Sequence, residues 1–152
     1  MIATALGYGM KEFKSFKKKE VDQYDHIIFG TGVYMGKMKK LKRAKRLFRD
    51  KSVTIFACGG NNNVEQDIAK IKSDNFTKEE LAFHRFFYLP GGIDRTKLSF
   101  FTKILFGFIE KTLDKKADRT RDEDEFLHWL KHPDDFVDEK HIASLVKYVE
   151  KL

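Results

Sequence analysis

Three short apolar runs, each closed by a glycine-bearing turn and followed by a helical pattern, constrain this chain more than any other feature. His26-Ile27-Ile28-Phe29 lies between Asp25 and Gly30 and reads as a strand buried on both faces. Residues 30–36 (GTGVYMG) then form a glycine-rich loop. Residues 37–49 turn helical, with Met38, Leu41, Ala44, Leu47 and Phe48 spaced by three and four. The second run, residues 52–57, has the β-branched content of a strand, and Cys58-Gly59-Gly60 with Asn61-Asn62-Asn63 suits a sharp exit. The third is Phe86-Phe87-Tyr88-Leu89, stopped by Pro90-Gly91-Gly92. Between the second and third, residues 64–72 are helical in pattern, and Thr77 with Glu80 is a capping-box signature for another short helix. Alternating strand, loop and helix predict an α/β fold, a parallel sheet with helices on both faces.

The most apolar stretch follows at residues 98–113 (LSFFTKILFGFIEKTL), where nine of sixteen residues are Leu, Ile or Phe. They cover more than one helical face, which leaves two readings. The helix is core against the sheet, or it is exposed and meets a membrane or a lipophilic acceptor such as a quinone. In the second case Lys97, Lys103, Lys111, Lys115 and Lys116 would face anionic headgroups. Residues 114–125 read as a charged loop, 126–132 as a short helical turn, and 138–152 as an amphipathic helix on Ile142, Leu145, Val146 and Val149. Nothing repeats and no linker intervenes, so residues 1–152 read as a single domain.

Charge is distributed unevenly. Residues 1–57 carry +9 and residues 58–152 carry −2, and the densest cluster puts eight basic side chains among the thirteen positions 37–49. A solvated helix face accounts for this, and an anionic partner is the alternative. The cluster lacks interleaved aromatics and any reading motif, which argues against nucleic acid. A single cysteine, Cys58, excludes an internal disulfide and fits a cytoplasmic setting. Cys58 precedes a glycine pair at a strand end, but no histidine is obviously paired with it, so it reads as a small buried or loop cysteine and not as a nucleophile. His128 and His132 share a helical face, yet Pro133 ends that turn and no further ligands are evident; no metal site is expected. Nor does any apolar run reach the ~18 residues of a membrane span.

Tyr24-Asp25-His26-Ile27-Ile28-Phe29-Gly30-Thr31-Gly32-Val33-Tyr34-Met35-Gly36-Lys37 resembles the third strand and following loop of flavodoxin-like domains. Residues 86–94 (FFYLPGGID), the apolar helix after Lys97, Arg119-Thr120-Arg121 and Asp135-Phe136-Val137-Asp138 narrow the resemblance. They are similar to the group that contains menaquinone-dependent protoporphyrinogen oxidase, over residues 20 to the C-terminus. The resemblance implies a three-layer α/β/α domain with a parallel sheet of order 2-1-3-4-5, and FMN at the C-terminal ends of the strands. It implies electron or hydride transfer, with a redox partner protein, a quinone or a porphyrinogen as the other party. It also implies the binding residues: Thr31, Gly32, Val33, Tyr34, Met35 and Gly36 from the first loop, and Cys58, Gly59, Gly60 and Asn61 from the second. Glycines would let main chain approach the ring, Tyr34 or Met35 would cover its face, and the second loop would offer N–H donors. Ordinary strand-to-helix turns are the alternative.

The start of the chain departs from the pattern. Residues 1–7 look like the last turns of the first helix with Gly7 as C-cap, and residues 10–16 then stand for the second strand. Alternatively residues 2–6 are a degenerate first strand, and Gly7-Tyr8-Gly9, lacking Ser or Thr, is a poor phosphate loop. On the first reading the central strand is absent, as though the chain were truncated at its N-terminus, which in-frame upstream codons would test. Its loss removes roughly five ladder bonds at about 1 kcal/mol each, against a domain stability of about 5–15 kcal/mol. Either strand two moves beside strand three or the chain oligomerises. A relative that has lost FMN binding and serves as a non-catalytic interaction module is the rival function.

Overall fold

A computed structural model describes the chain except residues 35, 61–64, 93–97, 99 and 133–135, and the side chains of residues 66 and 122. The described residues form two compact units: Met1–Gly91 with Val137–Leu152, and Gly92–Phe136.

The first unit holds the sheet. Strands β1 (Ile27–Tyr34), β3 (Val53–Gly59) and β4 (Arg85–Pro90) run parallel, and β2 (Lys37–Met38) turns back antiparallel on the end of β1, giving the order β2-β1-β3-β4. Registers are continuous across the three parallel strands: Phe29 faces Ile55 and Ile55 faces Phe86, while Gly32 faces Cys58 and Cys58 faces Leu89. Side chains therefore alternate between two faces. On one face Phe29, Val53, Ile55 and Ala57 are buried beneath α2 (Leu41–Leu47) and α3 (Glu65–Asn75), together with Met38, Leu41, Ala44, Ile71 and Phe76. Phe13 and Phe16 join this core; Phe13 meets Phe29 edge-on at 4.9 Å. On the other face Ile28, Phe56, Phe87 and Leu89 pack with Ile2 and Leu6 of α1 (Ile2–Leu6) and with Leu145, Val149 and Tyr148 at the C-terminal helix, residues 139–149.

The three strands and the α/β class stand as read from sequence, with four corrections. Residues 30–34 are strand, not loop: β1 runs on through both glycines because pairing with β3 extends to Gly32 and pairing with β2 to Tyr34. The helix read over 37–49 shrinks to α2, since Lys37 and Met38 are spent on the hairpin. Residues 10–16 form no strand; Phe13–Ser15 is a 3-10 turn whose phenylalanine is used as a core plug. Residues 2–6 are helical, ended by Gly7 at φ 65°, so they are not a degenerate first strand. Among the described residues, no strand lies beyond β1 along Ile27–Gly30.

Helix α4 (Lys78–Phe83) starts where its capping box predicts: Thr77 Oγ1 accepts from Glu80 N, and Glu80 accepts from Thr77 N at 2.9 Å. It delivers His84, whose buried Nδ1 accepts from Val53 N at 3.3 Å. That bond requires a neutral ring. Burial holds the His84 pKa below its ordinary value of 6.5, opposed by the nearby Glu80 carboxylate and assisted by Lys45. Unfolded His84 binds a proton that the folded ring resists, so stability should fall as pH drops below about 6.5. His26, also depressed by burial, adds in the same direction. Urea midpoints at pH 7.5 and 5.5 check this, and His84→Asn, which keeps an acceptor near the Nδ1 position, should shrink the difference. An unchanged pH profile in that variant would remove His84 from the account.

The second unit is a pair of helices, α5 (Phe100–Lys115) and α6 (Arg121–Lys131). Phe106, Leu127 and Leu130 are buried, and Trp129 stacks on Phe126 at 5.7 Å. Helix α6 begins five residues earlier than its apolar pattern predicts, because Thr120 and Glu123 form a second capping box. Arg119 ties the connection by donating Nη1 to the Leu113 and Lys116 carbonyls at 3.0 and 2.9 Å and Nε to Asp124 at 2.5 Å. The last helix, α7 (Glu139–Val149), belongs to the first unit and is capped by the Asp138 side chain.

Candidate functional site

In a parallel sheet the strands end on one side, and those ends are where ligand-binding main chain collects. Here β1, β3 and β4 bring Gly32, the Cys58-Gly59-Gly60 segment and Gly91 to that edge. Gly91 N donates to Gly59 O at 2.8 Å, so the segments after β3 and β4 are joined.

Glycine means different things at each position. Gly30 and Gly32 lie on the same face, two residues apart. Above Gly30 the ring of Phe56 already occupies the space a side chain would take. Above Gly32 no described side chain plays that part: among the described residues a Cβ there would meet Cys58 O alone, at 4.0 Å. Gly91 is likewise in ordinary contact at 3.8 Å with Cys58 Cβ and Gly59 O. Gly59 is covered by the Tyr88 hydroxyl, 2.4 Å from where a Cβ would be. Among the described residues, backbone at this edge is therefore clear of side chains at Gly32.

Thr31 lies beside Ala57, and its hydroxyl donates to Lys39 O at 2.7 Å, while Lys39 N donates to Gly32 O at 3.1 Å. The Thr31 side chain is thus committed to the hairpin. Val33 packs toward the core beneath α2, whereas Tyr34 is exposed with Lys39 Nζ 5.9 Å from its ring centre. Gly36, at φ 74°, serves the turn: its carbonyl is bound by Asn75 and its Cβ position meets Asp74 at 3.2 Å. Cys58 is half-buried, and burial pushes its thiol pKa up, so it presents a neutral S–H and a soft wall. Met35 and Asn61 lie outside the described residues. The structure brings Gly32, Cys58, Gly59 and Gly60 together and sets Tyr34 beside them; it turns Thr31 and Gly36 to hairpin duties.

One residue escapes sequence reasoning altogether. Asn75, at the end of α3, donates Nδ2 to Gly36 O at 2.6 Å and to Ile71 O at 2.7 Å, and accepts from Met38 N at 2.9 Å. It clamps the hairpin that carries Tyr34. Lys45 adds a second tie, reaching Asn75 O at 2.6 Å and Glu80 at 2.5 Å over the Phe76 ring. Part of the basic cluster is therefore internal glue: Arg43 lies over Phe13, and Lys37 donates to Asp74 O.

These residues fit the ring end of a flavin, with backbone at Gly32 that no described side chain covers, Cys58 beside it and an exposed aromatic at Tyr34. No group of His, Cys, Asp and Glu among the described residues could hold a metal ion, and no described helix is long and apolar enough to cross a membrane.

Comparison with curated proteins and with solved structures gives no match. The family described as flavodoxin domain matches residues 2–120, reaching further toward the N-terminus than the motifs in the sequence suggest and stopping before α6. Domains of this kind typically bind FMN and carry electrons. The match takes in α1, all four strands and α5, and with the parallel β1-β3-β4 sheet it shows that the chain belongs to the flavodoxin domain family.

Proposed function

We propose that this chain is a redox module that holds the ring of FMN at the carboxyl ends of β1, β3 and β4. The observation that carries the reading is the space above Gly32, left clear by every described side chain, next to Cys58 and two residues from exposed Tyr34. Bound FMN supplies electron or hydride transfer. The chain's part is to position the ring: backbone of Thr31, Gly32 and Val33 along one rim, Cys58, Gly59 and Gly60 along another, and Tyr34 as a wall. Met35, Gly36 and Asn61 flank these segments and complete the set inferred from sequence. Cys58, kept as a neutral thiol by burial, lines the ring without competing for its electrons.

FMN titration followed by quenching of flavin fluorescence tests this. Micromolar binding is the expected result, and Gly32→Val, which fills the open space, should weaken it by about tenfold or more at unchanged far-UV circular dichroism. A folded protein that leaves FMN fluorescence untouched sinks the proposal. That outcome would favour the second reading, a non-catalytic interaction module, which rests on Thr31 and Gly36 being committed to the hairpin.

Within the redox reading, the motif at Phe86–Leu89 and the following glycines points to a flat, apolar electron donor or acceptor of the protoporphyrinogen or quinone kind, in a cytoplasmic setting. Anaerobic incubation of the FMN-loaded protein with protoporphyrinogen checks it: porphyrin fluorescence should appear in step with flavin bleaching. Flavin that stays oxidised leaves a redox partner protein as the other party.

A further inference from the structure

Helix α5 exposes an apolar surface with an ordered charge pattern. Phe100, Phe101, Ile104, Leu105 and Phe108 are all exposed, between 48% and 81%. At 3.6 residues per turn they fall within one arc of about 140°. The opposite side, at Phe106 and the half-buried Ile109 and Leu113, is turned away from it. Monomeric surfaces rarely leave five large apolar side chains contiguous without a use for them.

The same arc changes character along its length. Beyond Phe108 it carries Lys111, Thr112 and Lys115 and no acid; Glu110 and Asp114 fall outside it, and Asp114 is engaged by Lys131 at 2.6 Å. The apolar part, from Phe100 to Phe108, is about 12 Å long, at 1.5 Å per residue. A second copy of the chain suits this surface poorly. Parallel pairing would set lysines against lysines, and antiparallel pairing would press them into phenylalanines. An anionic bilayer suits both halves, since acyl chains accept the rings while headgroups attract the lysines.

We propose that α5 docks the protein on anionic membrane surfaces, tilted so that Phe100–Phe108 enters the interface and Lys111 and Lys115 stay among the headgroups. This goes beyond flavin binding and does not depend on it. The experiment is co-sedimentation of the full chain with phosphatidylcholine vesicles and with vesicles containing about one-third phosphatidylserine, at low and high salt. Binding should favour the anionic vesicles and fall with salt. Phe101→Glu with Phe108→Glu should reduce it at least about tenfold on both vesicle types. Lys111→Gln with Lys115→Gln should reduce it about tenfold on the anionic type alone. All four positions are exposed, so near-UV circular dichroism should match the parent.

A folded parent that fails to sediment with anionic vesicles at low salt overturns the proposal, as does undiminished binding by the phenylalanine pair. So does a stable dimer in sedimentation equilibrium that the phenylalanine pair breaks, because the surface would then belong to a second copy.

Discussion

Gly30→Val should lower stability by about 3 kcal/mol, the upper end of what overpacking costs. A Cβ at residue 30 would stand 2.0 Å from Phe56 Cζ and within 2.6 Å of two more ring atoms. The ring cannot easily swing away, because it packs with Ile28, Phe87, Leu89 and Ile142 on the α1–α7 face. Exposure at an open sheet edge would make this glycine look replaceable, so the prediction separates the packing reason from a merely conformational one. Phe56→Ala alone should cost about 3 kcal/mol through its cavity. Adding Gly30→Val to that variant should then cost less than about 1 kcal/mol, since the obstructing ring is gone. Urea unfolding of the four-member cycle reads the coupling. A valine at residue 30 that costs equally in both backgrounds would show that Phe56 does not lie over β1.

Asn75→Ala should cost about 2–3 kcal/mol, the sum of its hairpin bonds and of the partners left unmatched on Met38 N and Gly36 O. Its effect should also reach the proposed ring site, because the hairpin it clamps holds Tyr34. The change is therefore expected to weaken FMN by several-fold while the sheet survives. Asn75→Asp is the sharper test. It keeps the acceptor for Met38 N but points a carboxylate oxygen at the Gly36 and Ile71 carbonyls, so it should lose at least as much as alanine. If aspartate were tolerated, Asn75 would be a helix end and nothing more.

The two predictions locate what was legible in the sequence. Each parallel strand is announced by a local run of apolar and β-branched residues, and local runs suffice because buried strands bury both faces. The Thr77 and Glu80 capping box worked for the same reason: its partners sit three residues apart and need no help from the rest of the chain. Thr120 and Glu123 carried an identical signal, masked by the charged residues around them, and it would have placed the start of α6 correctly. The Gly7 helix end was equally local.

What failed depended on partners far along the chain. Gly30 and Gly32 read as loop residues because glycine disfavours strands in isolation. They are strand because β3 supplies the ladder, and over Gly30 the ring of Phe56, 26 positions later, supplies the missing side-chain bulk. Phe13 and Phe16 were read as part of a strand, whereas the core beneath α2 used them as plugs. The hairpin at β2 exists because Asn75 holds it, and nothing within residues 36–38 says so.

The family and the parallel α/β architecture were therefore fixed by local pattern, through apolar runs, caps and the order in which they recur. Tertiary structure alone decided which glycines carry bare backbone and which are filled by a neighbour's ring. It also decided which lysines are glue and which side of α5 is left to solvent. Those outcomes are contacts between distant segments, and a distant contact has no period for a sequence to display.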